Sequence, residues 1–261
     1  MDNKTMNSRI IDCTKDYENS FDILKRGYRT CDNAEAEKYP FLLIGINPSF
    51  PPKSNMYPRR VEPFTFYQAI VDSKTIPEKK YDYWKEKGEW FGDLCKKMAY
   101  LDLFPVQESD QSLFEKTFFN LASLRRDLLE ITQDAIEEMK PRLIVHANRQ
   151  SFYYWGLFPK NPWMGYDLKR VTLEEYPDLP PCCKEHNRLN RYPIYVINGF
   201  ISSKERINQD QYPINTNLKG TFIIHYVMRY RNEKYKKYLY ESKDWEEIWK
   251  WVKKHTSPPR I

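Results

Sequence analysis

Apolar residues fall into two patterns along this chain. Short continuous runs closed by Gly, Pro or Asn read as buried strands, and longer stretches with apolar residues three or four apart read as helices. Five runs have the first form: residues 39–45, 100–105, 142–147, 192–197 and 220–227. Between them the helical spacing predicts a short helix within 16–26, carrying Phe21, Ile23 and Leu24, then helices from Phe64 and across 81–98. A single long helix is expected over 113–139, stopped by Pro141, and a short one over 149–156, capped by Asn148. A terminal amphipathic helix is expected over 233–255, with Trp245, Ile248, Trp249 and Val252 on its main face and Trp251 off it.

Strands that alternate with helices predict an α/β fold: three layers, α/β/α, around a mainly parallel central sheet. Continuous apolar strands fit a sheet covered on both faces. The chain reads as one domain over 1–261, with a polar N-terminal extension (1–39) and an irregular, Pro-rich insertion (157–191). Open sheets of this kind bind ligands beyond the carboxyl ends of their strands. That selects 47–49, 107–110, 146–148 and 226–231 before any chemistry is considered.

Composition removes some functions. The chain has 8 Gly, none in a Gly-x-Gly arrangement, so dinucleotide fingerprints and phosphate-binding loops are excluded. No apolar run is long enough to span a bilayer, and 1–17 lacks a signal-peptide core, so a cytoplasmic protein that does not engage membranes is expected. The 5 Cys suit reduced thiols better than a disulfide framework. Cys182, Cys183 and His186 lack a second zinc-spaced pair, so neither a metal nor a cofactor is expected. The net charge of +6 is modest, but 229–243 interleaves Lys and Arg with Tyr. Such a stretch is either a solvated helix face or a surface for phosphates.

Gly45-Ile-Asn-Pro-Ser49 is the most informative segment. Pro48 biases Asn47 toward extended backbone, and an Asn amide at a sheet edge can donate and accept at once. An ordinary turn would look the same. With the strand before it, Phe41-Leu-Leu-Ile-Gly-Ile-Asn-Pro-Ser49 resembles the first motif of the uracil-DNA glycosylase superfamily. The nearest form is Gly-Ile-Asn-Pro-Gly, of the mismatch-specific uracil/thymine branch. Tyr57-Pro58 followed by the aromatic-rich 64–70, the strand at 100–106 and Leu143-Ile-Val-His-Ala-Asn148 extend the likeness over roughly 40–240. The literal match is Gly45 to Pro48.

The resemblance implies a uracil-DNA glycosylase-like fold and a monomer that acts on DNA, single-stranded or mismatched. A base would be flipped into a pocket and its N-glycosidic bond hydrolysed. Asn47 would position the attacking water. The base would be lined by Ile46 and Phe50 and stacked on Tyr57 or Phe66, with Tyr226 beside it. The family's second motif, His-Pro-Ser or Asn-Pro-Ser, occurs nowhere in the chain. Its place falls either to His225, with Arg229 and Arg231 meeting phosphates, or to Ser202 and Ser203. His225 would stabilise the departing base anion, although a histidine inside an apolar strand is also a common core residue. Asp102, His146, Glu108 and Asp110 are further titratable groups at strand ends, the last two also placed to cap a helix near Ser112. Two other readings stay open: a non-catalytic nucleobase or nucleic-acid binding module of the same fold, and an unrelated α/β hydrolase or transferase with its site at the same edge.

Overall fold

In the computed structural model the described residues are 1–48, 64–75, 82–157, 162–202, 204–212, 215–226 and 238–256. Six strands form one sheet: β1 (Phe41–Gly45), β2 (Ala99–Asp102), β3 (Leu143–His146), β4 (Tyr166–Arg170), β5 (Ile194–Phe200) and β6 (Phe222–His225). Their order is β2-β1-β3-β6-β5-β4. The β2-β1, β1-β3 and β3-β6 pairs are parallel, whereas β5 is antiparallel to both β6 and β4. The mixed α/β, mostly parallel architecture expected from the apolar runs is present.

The central strands are buried on both faces because successive residues serve different cores. Leu42, Ile44 and Ile144 pack with Ile10 of α1 (Asn3–Thr14), Phe114 of α5 (Gln111–Asn120) and Leu124 and Leu128 of α6 (Ala122–Met139). On the other face, Phe41, Leu43 and Val145 meet Phe66 of α3 (Phe66–Thr75), Phe91 of α4 (Asp82–Phe91) and Trp245 and Ile248 of α10 (Ser242–His255). Short helices α2 (Asp22–Lys25), α7 (Arg149–Phe152), α8 (Pro181–Lys184) and α9 (Arg188–Arg191) complete the α-helices among the described residues.

Several expectations need correction. The extension 1–39 contains a full helix, α1, whose buried stripe is only Met6, Ile10 and Thr14, so it hides among polar residues. The helix expected within 16–26 shrinks to Asp22–Lys25. The long helix over 113–139 is two, broken at Leu121 (φ −114°, ψ 53°). Leu121 stays buried at the break and so keeps the apolar spacing unbroken. The insertion 157–191 contains β4, α8 and α9 rather than irregular chain alone. It clamps α10: buried Arg188 donates to the Leu239 and Cys182 carbonyls (2.9 and 3.2 Å) and pairs with Asp244 (3.4 Å). Cys182 and Cys183 lie buried in α8, not in a loop. The terminal helix begins at Ser242, where Glu241 and Asp244 form a capping box, so Tyr238 and Leu239 precede it. Trp251 is buried too, with its ring 4.7 Å from Phe222 and 5.5 Å from Tyr176.

Candidate site at the carboxyl end of the sheet

From β1 the chain crosses to β2 on one side, and from β3 it moves toward β6 on the other. Adjacent strands whose connections diverge leave a crevice at their carboxyl ends. Here that crevice lies between Asn47-Pro48, after β1, and Ala147-Asn148, after β3. Ala147 N–H donates to the Ile44 carbonyl (2.9 Å), which holds the two exits together.

Asn47 is half-buried. Its Nδ2 donates to the carbonyls of Glu108 (2.7 Å), Pro48 (3.2 Å) and Val106 (3.4 Å). Carbonyl oxygens can be met only by the amide's NH2 end, so the orientation is chemically fixed and Oδ1 is left as the acceptor on the opposite side. Glu108 is the clasp that makes this possible. Its N–H donates to the Pro48 carbonyl (2.9 Å), and its buried carboxylate pairs with Arg26 and accepts from Asp110 N–H (2.8 Å). Asp110 caps α5, accepting from Ser112 and Leu113 N–H (2.9 and 3.1 Å). Across the crevice Asn148 caps α7, accepting from Gln150 and Ser151 N–H (2.8 and 3.1 Å). Gln150 reaches Glu115 of α5, which closes a polar rim from β1 to β3.

On one face, next to β1, Asp102 is paired in register with Gly45. Its Oδ1 accepts from Tyr100 Oη (2.7 Å). A Cβ at position 45 would lie 2.0 Å from that oxygen and 2.6 Å from the Tyr100 hydroxyl. Gly45 is therefore required by the close approach of a carboxyl group, not by its own dihedrals. Burial pushes the Asp102 carboxyl up to about 7, with Tyr100 and Arg29 offsetting part of that rise. The Tyr100 ring lies parallel to Phe66 (5.6 Å between centroids) and edge-on to Trp84 (5.2 Å).

On the opposite face, His146 and His225 are register partners on β3 and β6. Ser151 Oγ donates to the Asn148 carbonyl (2.8 Å), so its single proton is spent. The 3.1 Å contact between His146 Nδ1 and Ser151 Oγ then requires His146 as donor. His146 is a buried, neutral Nδ1–H tautomer, held well below its ordinary pKa by burial and then by His225. Phe152 stands edge-on to His146 (5.1 Å) and stacks on His225 (4.4 Å, 23°).

The remaining candidates divide. Ile46 is buried, and its carbonyl accepts from Phe104 N–H (2.9 Å). Phe66 is buried in the ring cluster beneath Gly45. Tyr226 is wholly buried in the opposite core and its hydroxyl accepts from Tyr240 N–H (3.0 Å), so it faces α10 and not the crevice. His225 lies in the Ile44–His146 row, three residues short of Asn47. Two strand spacings and three residue rises put its Cα about 14 Å from that of Asn47. Ser202 follows β5, which runs antiparallel to β6, so it leaves the sheet at the end opposite to Asn47. Phe50, Tyr57, Ser203, Arg229 and Arg231 lie outside the described residues. A cavity of about 600 Å³, lined by Asp2, Met6, Asn33, Pro40, Leu101 and Lys140 among others, opens at the other end of the sheet, before β1 and β3.

In the sequence Asp102 stands as one titratable group among several at strand ends, and Glu108 reads as an acid or a helix cap with no part in holding Asn47. The alternation Leu101-Asp102-Leu103 beside a glycine-closed strand was the available signal for the first. Nothing local marks Glu108, whose role depends on a contact with Arg26, far away in the sequence. Compared with family models, curated proteins and solved structures, the chain gave no match.

Proposed function

We propose that this chain is a uracil-DNA glycosylase-like protein that hydrolyses the N-glycosidic bond of a damaged or mismatched base flipped out of DNA. The observation that carries this reading is the Asn47 amide. Three carbonyls fix its NH2 end at the carboxyl end of a central strand, which leaves Oδ1 as a rigid acceptor beside the crevice. An acceptor held in that way orients a water molecule for attack without moving during the reaction. The test is direct. Wild-type protein incubated with uracil- or mismatch-containing oligonucleotides generates alkali-labile abasic sites, and Asn47→Ala lowers the rate about 100-fold. No abasic sites above buffer, or an Asn47→Ala rate equal to wild type, refutes the proposal.

One observation favours a second reading, a module of the same kind that binds a nucleobase without cleaving it. The His225 ring lies flat on Phe152 in a row below Asn47, away from where a leaving base would stand. Binding without release, with affinity falling steeply as salt rises, identifies this case.

A further inference from the structure

The frame around Asn47 is assembled from three separate stretches of chain. The first is 46–48 itself. The second is 104–108. Its Phe104 N–H donates to the Ile46 carbonyl and its Glu108 N–H to that of Pro48 (both 2.9 Å), while the Val106 and Glu108 carbonyls accept from Asn47 Nδ2. The third comes from the N-terminal extension. Arg29 N–H donates to the Pro105 carbonyl (2.9 Å), Gln107 N–H meets the Gly27 carbonyl (3.5 Å), and Tyr28 pairs antiparallel with Val106. Gln107 Nε2 also donates to the Arg26 carbonyl (3.1 Å). Residues 104, 106 and 108 thus turn their backbone groups to the Asn47 segment, and residues 105 and 107 turn theirs to 26–29. That alternation is what a strand shows between two neighbours. The carbonyls that hold Asn47 are therefore placed from behind by the N-terminal extension.

Side chains lock the end of this contact. The half-buried Arg26 guanidinium pairs with the buried Glu108 carboxylate. Among the described residues the other donor to that carboxylate is the Asp110 N–H (2.8 Å). Glu108 also carries the carbonyl with the shortest contact to Asn47, 2.7 Å. A buried carboxylate that loses its cation is left uncompensated, and its readiest relief is to swing toward water. Such a swing carries the Glu108 backbone with it and loosens the amide. We propose that Arg26 is a positioning residue for Asn47, acting through the Glu108 carboxylate; its effect on catalysis rests on the glycosylase reading above. Arg26 neutralises the buried charge, so 104–108 stays seated between its two neighbours and the Asn47 amide keeps one orientation.

In the experiment, asparagine side chains are labelled with heavy nitrogen, and NMR measures exchange of their NH2 protons with water. The pair of signals absent from Asn47→Ala identifies the amide. It exchanges about tenfold faster in Arg26→Ala than in wild type. Glu108→Gln added to Arg26→Ala removes the stranded charge, and exchange slows again toward wild type, a rescue that a merely structural role for Arg26 would not show. Base release follows the same order. Arg26→Ala lowers kcat about tenfold and leaves KM unchanged, because the crevice still admits DNA while the water is misplaced. If Arg26→Ala does not fold, Arg26→Lys takes its place: an ammonium does not reproduce the planar fork, so faster exchange is expected there too. Unchanged exchange in the folded single variant, or a double variant as fast as Arg26→Ala, overturns the role of Arg26. A wild type that releases no base overturns the glycosylase reading, and the exchange rates then still decide whether Arg26 positions the amide.

Discussion

Two titratable positions flank the crevice in register with neighbouring strands, and they are built in opposite ways. Asp102 lies over a glycine and keeps one hydroxyl donor. His146 is enclosed by Phe152 and Trp155 and gives its only proton to Ser151. Burial favours the neutral form of both, which moves the acid up and the base down. The pair teaches that one physical cause at one sheet edge produces two opposite dependences of stability on pH.

The largest effect expected follows from that opposition. The folded-state pKa of Asp102 is raised from 3.8 to about 7, so its relative stabilisation is full below about pH 4 and lost as pH rises to about 7. His146 is depressed below 6.5, so its contribution is full above that value and lost as pH falls. The two slopes oppose each other between about pH 4 and 6.5. Denaturant unfolding of Asp102→Asn across this range leaves the histidine slope, with stability falling in acid. His146→Gln leaves the aspartate slope, on the order of 4 kcal/mol in all. Parallel profiles in the two variants break the comparison.

Gly45→Ala comes next. Its methyl would overlap the Asp102 carboxyl, and a loss of about 3 kcal/mol is expected in the same unfolding assay. Asp102→Ala in the same chain returns part of it, which separates steric from conformational causes by a double-mutant cycle. Glu108→Ala strips Arg26 and the Asp110 N–H of their partner, and about 2 kcal/mol is expected because Arg26 is partly solvated. The backbone carbonyl and N–H of residue 108 that meet Asn47 and Pro48 are kept in that variant, so base release is expected to fall less than in Asn47→Ala. The smallest effect is on the histidine side: Asn148→Ala removes the cap of α7 and lowers the unfolding free energy by about 1 kcal/mol.

The same contrast explains what was legible in the sequence. Phe41–Ile44 and Leu143–Val145 are apolar without interruption because both faces of the sheet are covered, so the strands and their alternation with helices were readable. Asn148 and Asp110 cap helices that start one residue later, and local contacts of that kind are visible in a linear chain. β4 was not visible, because an edge strand with Lys169 and Arg170 exposed has no apolar run. Nor was the break at Leu121, where neither glycine nor proline marks the turn. At the site, the Gly45-Ile-Asn-Pro48 segment drew attention to Asn47. The partners that fix its amide come from 106–108, and the reason for Gly45 is a side chain on another strand. Periodicity carries no information about such pairings.

The two margins of the sheet also bear on how the molecule behaves in a crowd. A bare margin of N–H and C=O groups recruits further strands from other chains. One margin here is β4, with Lys169 and Arg170 exposed and its register shifted between Asp167 and Leu168. Cations and an irregular ladder both discourage a passing strand from docking. The other margin is β2, whose continuation is bridged at Val106 by Tyr28. The N-terminal segment thus acts as a gatekeeper against aggregation, and cutting it back beyond Tyr28 would uncover backbone ready to pair with a neighbouring copy.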